Sequence, residues 1–196
     1  MMSAVPKQIL SPAEYLERDR IAEVRSEYYR GELFAMAGAS RHHNFINDNL
    51  IRHLGNQLEH TDCRTASRDL RVKVSTTGFY AYPDAIIVCK ESIFEDDIQD
   101  TLLNPRVLFE ILSPTSERYD RGIKFAHYRQ IESLQEYILI AQDRVLVERY
   151  VRQSNGDWRM TPLESINAEL VLTSVPVRIS LADLYRDVSF EEAADR

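Results

Sequence analysis

Between residues 106 and 141 the spacing of apolar positions changes from continuous to helical and back. Val107-Leu108-Phe109, interrupted by Glu110 and resumed at Ile111-Leu112, predicts a strand over 106–112. A helix over about 117–131 and a strand over 136–141 follow, and a β-α-β unit of this kind makes its strands parallel with a right-handed crossover. Upstream, the alternating runs LRVKV and YPDAIIVC flank Ser75-Thr76-Thr77-Gly78 and predict an antiparallel hairpin, so the sheet is mixed. Ser11-Pro12-Ala13-Glu14 supplies an N-cap, a proline at the first helical position and an acidic first turn, which starts a short helix ending near Arg20. The run EYYRGELFAMAG reads as a hairpin turning at Arg30-Gly31. Phe45, Ile46, Leu50, Leu54 and Leu58 form the packed stripe of a helix from Ser40 or Arg41 to about Glu59. After Gln142-Asp143, the segments VLVERYVR, WRMTPL, AELVL and VPVRISL predict further short strands, closed by a helix at Leu181-Ala182-Asp183-Leu184-Tyr185. Trp158, Tyr150 and Met160 in these strands are expected as packing residues rather than a base-stacking surface.

A chain of 196 residues is about one domain, and its 44% hydrophobic and 28% charged residues are the usage of an ordinary globular protein. No run of 18 apolar residues is available to cross a membrane, and the first residues lack the pattern of a signal peptide, so a cytoplasmic location is expected. Cys63 and Cys89, without metal-type spacing, suit two reduced thiols. The net charge of −7 argues against a broad nucleic-acid-binding surface. Acidic residues cluster at 91–100, however, in what reads as a solvated loop, while Arg64, Arg68, Arg71 and Lys73 concentrate positive charge just before Asp84. A local basic patch is therefore expected.

The chemistry centres on Asp84, just ahead of Ala85-Ile86-Ile87-Val88, and Glu110, just after Val107-Leu108-Phe109. Pro-Asp is also an ordinary turn and a strand Glu can face water. A glutamate between Phe109 and Ile111-Leu112 is nevertheless costly to bury unless paired or metal-bound. Two neighbouring strands could hold the carboxylates together, and one or two carboxylates are what Mg²⁺ usually takes from a protein. Asp120, Lys124 and Tyr128 recur at i+4, on one helical face, so a lysine is offered near the pair; an ion pair of Lys124 with Asp120 is the simpler alternative.

The stretches SEYYRGELFAMAGASRHHNFINDNL, SRDLRVKV, YPDAIIVC, FEILSPTSERYDRGIKFAHYR and SLQEYILI, in this order and spanning most of residues 11–190, resemble the Uma-type restriction endonuclease family. That family, once catalogued as a domain of unknown function, is placed in the PD-(D/E)XK nuclease superfamily. The resemblance implies an α/β (α+β) single domain over 1–196, with a central mixed sheet flanked by helices, restriction-endonuclease-like, and extra C-terminal strands. It also implies Mg²⁺-dependent hydrolysis of DNA phosphodiesters, with Mn²⁺ as a substitute. Asp84, Glu110 and the backbone carbonyl of Ile111 would hold the metal, Glu27 would support the shell, and a lysine would assist the attacking water. Pro83-Asp84 and Glu110 match the superfamily pattern, but Leu112 stands where its lysine belongs. In some branches the lysine has moved to the following helix, which makes Lys124 the candidate and Lys73 its competitor. His43, in the first turn of its helix, aligns with a family histidine and could meet a phosphate or a water, or simply face solvent. A non-catalytic nucleic-acid-binding or regulatory module, or a domain with neither DNA nor metal, stays open as an alternative. Cutting both strands of a duplex would favour a homodimer.

Overall fold

The computed structural model describes residues 9–36, 38–67 and 69–190. Its strands fall into two main sheets rather than one. The first holds β1 (Ser26–Tyr29), β2 (Glu32–Ala35), β4 (Arg71–Val74), β5 (Phe79–Ala81) and β7 (Thr101–Leu102), in the order β2-β1-β5-β4-β7. The second holds β3 (Cys63–Ser67), β6 (Ala85–Cys89), β8 (Val107–Leu112), β9 (Glu136–Ala141), β10 (Val147–Arg152) and β11 (Trp158–Leu163), in the order β11-β10-β9-β8-β6-β3. Both sheets are mixed: β4 runs parallel to β7, β8 runs parallel to β9, and the other pairings are antiparallel. A two-stranded ribbon, β12 (Glu169–Val171) with β13 (Arg178–Ser180), follows.

The division into two sheets corrects the expected hairpin. β4 does turn back through residues 75–78, but the return strand that pairs with it is the short β5, and Tyr82-Pro83-Asp84 then carries the chain into the other sheet, where β6 lies between β3 and β8. Proline has no N–H to give to a ladder, so pairing breaks at Pro83. Asp84 thus stands where the chain changes sheets.

The N-terminal elements form as read. α1 (Pro12–Ile21) is closed by a capping box between Ser11 and Glu14, and Arg30 and Gly31 both take positive φ (48° and 88°) at the β1–β2 turn, as a two-residue hairpin turn requires. α2 (Arg41–Leu58) starts at Ser40, whose Oγ accepts the His43 amide at 3.1 Å. Ile46, Leu50, Leu54 and Leu58 seat it on one face of the second sheet, while Phe45 remains half-buried under the Arg41 guanidinium.

β8 is buried along its whole length. Alternation sends Val107, Phe109 and Ile111 into the core under α2, and Leu108 and Leu112 into a second core on the opposite face. Over that second face lies a helical segment made of α3 (Glu117–Tyr119), a π-helical turn (Asp120–Lys124) and α4 (Phe125–Tyr128). Tyr128, Phe125 and Tyr119 join this core, and Phe125 stacks on Tyr137 and meets Trp158 edge-on. Trp158 and Tyr150 are packing residues, as expected, whereas Met160 is exposed. α5 (Leu181–Leu184) closes the core under α2.

Two expectations about charge and sulfur are corrected. Arg71 is 1% exposed and is held by Asp19 at 2.9 Å, Tyr82 at 2.9 Å and Thr101 at 2.7 Å, while Lys73 is bonded to Glu95. These cations tie the first sheet to α1 and to the acidic 91–100 loop. A buried guanidinium needs carboxylates, so the run read as a basic patch is largely neutralised inside the protein. Arg64 is its exposed member, and Arg68 lies outside the described residues. Cys63 and Cys89 are not free thiols: the β3–β6 register sets them opposite each other, joined in a disulfide. Their separation of 26 residues gave no sign of this pairing.

The same network yields a pH prediction. Hydrogen bonds from Arg20 hold the Asp100 carboxyl down at about 2, against an ordinary 3.8. Its folded pKa is depressed, so its contribution is present above 3.8 and lost as pH falls towards 2. Asp100 is partly exposed, and screening keeps the effect below about 1 kcal/mol. Urea melts of wild type and Asp100→Asn are expected to diverge above pH 4 and to converge near pH 2.

Candidate functional site

Glu110 shares the alternation of Leu108 and Leu112, so its side chain turns to the face covered by the 117–128 segment, where it is 4% exposed. Tyr128 Oη donates to Glu110 Oε1 at 3.0 Å, and Lys124 Nζ lies 2.9 Å from the same oxygen. Lys124, itself 5% exposed, also reaches Glu27 Oε1 at 2.8 Å and Asp120 Oδ1 at 3.4 Å. Tyr119 Oη donates to Glu27 Oε2 at 3.0 Å. A lysine at position 112 would point to this same face, because residues i and i+2 of a strand share a side. The chain instead places Leu112 in the core there and brings Lys124 down from the helix above.

Asp84 adjoins this cluster from the sheet change. Its amide donates to Phe109 O at 3.1 Å, and its Oδ2 accepts the Ile111 amide at 2.7 Å, so its backbone and side chain bracket Glu110. The N–H and C=O of one strand residue point to the same side, so the Ile111 carbonyl lies on the same edge of β8 as the amide that Asp84 accepts. From the other face of the sheet, His43 Nε2 approaches Asp84 Oδ1 at 3.1 Å.

The electrostatics are those of a crowded, buried cluster with more carboxylates than cations. Burial pushes the Glu110 carboxyl well above its usual range; Lys124 opposes this, and Asp120, Asp84 and Glu27 add to it. Burial likewise raises Asp120. For Lys124, burial alone would depress the ammonium, but Glu110, Glu27 and Asp120 together hold it well above the ordinary lysine value. Three carboxylates (Glu27, Glu110 and Asp120) therefore share one buried lysine, and Asp84 adds its charge beside Glu110.

The structure thus brings together Asp84, Glu110, Ile111, Lys124 and Glu27, and sets His43 against Asp84. Lys73 is instead committed to Glu95 and Tyr80. Among the described residues no three His, Cys, Asp or Glu side chains are grouped so as to hold a metal ion together. Asp84 and Glu110 are the carboxylates that could meet a hard cation here, and two are within what Mg²⁺ usually takes from a protein. Sequence reasoning missed Tyr119 and the Ser40–Gln142 contact behind His43. The i+4 spacing of Asp120, Lys124 and Tyr128 was the one available signal for the helix side, and Tyr119 falls outside that spacing.

Comparison with solved structures matches this arrangement of strands and helices to a crystal structure from Anabaena variabilis ATCC 29413, described as "a putative nuclease belonging to DUF820". The TM-score is 0.74 at 19% identity, covering 90% of this chain and 97% of that one, so the fold is shared. The Uma2 family, described as "Putative restriction endonuclease", matches over residues 12–183, and the chain belongs to that family. Two Synechocystis sp. (strain ATCC 27184 / PCC 6803 / Kazusa) proteins are similar along nearly their whole length. The uncharacterized protein sll1609 is 36% identical over 170 residues, covering 87% of this chain and 96% of the relative. The uncharacterized protein slr1290 is 31% identical over 189 residues, covering 95% and 97%. No helix among the described residues is long and apolar enough to cross a membrane.

Proposed function

We propose that this chain is a single nuclease-like domain that hydrolyses DNA phosphodiester bonds with the help of Mg²⁺, for which Mn²⁺ can substitute. The observation that carries this reading is the buried Lys124 set 2.9 Å from Glu110, on the face where the superfamily's lysine would project. Asp84, Glu110 and the Ile111 carbonyl would hold the cation, and the excess of buried carboxylates over cations gives a divalent ion a favourable place. When bound, the ion would supply Lewis acidity at the phosphate and lower the pKa of a water.

The chain's own groups do the rest. Lys124, held as an ammonium by its carboxylates, donates to the oxygen of the attacking water and stabilises the hydroxide left when the proton passes to solvent. Its three N–H donors face three carboxylates, so a water is addressed only when one contact yields, and that to Asp120, at 3.4 Å, is the longest. Both oxygens of Glu27 are engaged, by Lys124 and Tyr119, so Glu27 supports the site by holding the lysine. Tyr128 fixes Glu110 from the helix side. Cleavage of both strands would call for two copies related by a two-fold axis.

Leu112 and the full engagement of Lys124 favour one other reading, a module that keeps the fold and binds without cutting. Incubation of supercoiled plasmid and of linear duplex with Mg²⁺ or Mn²⁺, against EDTA, separates the two. Metal-dependent nicking or cutting is expected; no hydrolysis of any nucleic acid with any divalent metal would overturn the enzyme reading.

A further inference from the structure

Asp84 is gripped at both oxygens. Oδ2 accepts the Ile111 amide at 2.7 Å, and Oδ1 lies 3.1 Å from His43 Nε2. A carboxylate accepts only, so it is an N–H at Nε2 that this contact can use, while Nδ1, which is buried, has no hydrogen-bond partner among the described residues. The ring is held in place by its backbone. Ser40 Oγ accepts the His43 amide at 3.1 Å and is itself bonded to Gln142, the buried residue that follows β9, while the apolar stripe of α2 fixes the helix on the sheet.

The terminal torsion of an aspartate is broad, so one hydrogen bond at Oδ2 leaves the plane of the carboxylate loosely defined. The contact of His43 Nε2 with Oδ1, at 3.1 Å, supplies the second restraint. A carboxylate offers about four lone-pair sites, so two remain for a cation. We infer that His43 is a positioning residue: with the Ile111 amide it holds the Asp84 carboxylate in the orientation in which its free lone pairs can take a divalent ion. The inference rests on the metal-dependent reading above and adds to it a residue on the opposite face of the sheet from Lys124.

Titration calorimetry of the full chain with Mn²⁺ and with Mg²⁺, in wild type, His43→Ala and His43→Gln, provides the test. Thermal melts without metal check that each variant is folded. His43→Ala is expected to weaken the binding of both ions about 10–100-fold, the usual effect of removing a partner behind a metal ligand. His43→Gln, which restores an N–H at the place of Nε2, is expected to recover most of that loss. Wild-type affinity in His43→Ala overturns the inference while leaving the metal reading intact. Equal losses in His43→Ala and His43→Gln overturn it too, since the donor is then not what matters. A loss with Mn²⁺ but not Mg²⁺ would make His43 a direct ligand, because imidazole favours transition metals, and would likewise overturn the positioning role. Absence of binding by the wild type sinks the metal reading and the inference together.

Discussion

Lys124→Ala is expected to lower phosphodiester hydrolysis by roughly 10²-fold or more, the range of a positioned donor to developing negative charge, without weakening metal affinity. The same substitution leaves Glu110, Glu27 and Asp120 without their shared cation. Removing one partner from a buried ion pair costs about 3–5 kcal/mol, so a lower urea midpoint accompanies the loss of turnover. The sign with pH follows from the carboxyls. Without the ammonium the Glu110 and Asp120 carboxyls, already raised by burial, rise further above their unfolded values and are tolerated only when protonated. The deficit relative to wild type is therefore largest near neutral pH and shrinks towards pH 4. Lys73→Ala is the control and is expected to leave turnover unchanged, because Lys73 is paired with Glu95. Loss of activity in Lys73→Ala with retention in Lys124→Ala would overturn the assignment of the lysine.

Asp84→Asn is expected to abolish the rise in melting temperature that Mg²⁺ or Mn²⁺ gives the wild type. An ion that binds only the folded state stabilises it by mass action, about 2.7 kcal/mol at a hundredfold excess over Kd. The amide side chain of asparagine can still accept from Ile111, so the local fold is kept while the charge is lost. Calorimetric scans with and without metal decide the point: equal responses in wild type and Asp84→Asn would place the ion elsewhere or nowhere.

Much of the fold was legible because local and tertiary signals agreed. The Ser11–Glu14 capping box, the Arg30-Gly31 turn and the stripe at Ile46, Leu50 and Leu54 are each written within one element, and each forms as read. The sheet change at Pro83 was not legible. An alternating pattern says that residues 79–89 are extended but not which neighbour each half takes. The fates of Arg71 and Lys73 were hidden for the same reason: their partners Asp19 and Glu95 are 52 and 22 residues away. At the site, Asp84 and Glu110 stood out as carboxylates at the edges of apolar runs, and Lys124 through its i+4 spacing. His43 had its place in a first turn and its match to a family histidine, and nothing in the sequence aimed its ring at Asp84.

The change of sheets at Asp84 also bears on the order in which this molecule can mature. Glu27 comes from one sheet, Asp84 from the junction, Glu110 from the other sheet and Lys124 from the helix above it. The Glu27–Lys124 contact closes a long stretch of chain, and distant closures of this kind form late because their entropy must be met before the contact returns anything. A chain emerging from the ribosome, or opened at one sheet, would therefore hold its carboxylates without the lysine. The complete cluster exists only when both sheets and the helix have docked, which confines any cutting activity to the finished molecule.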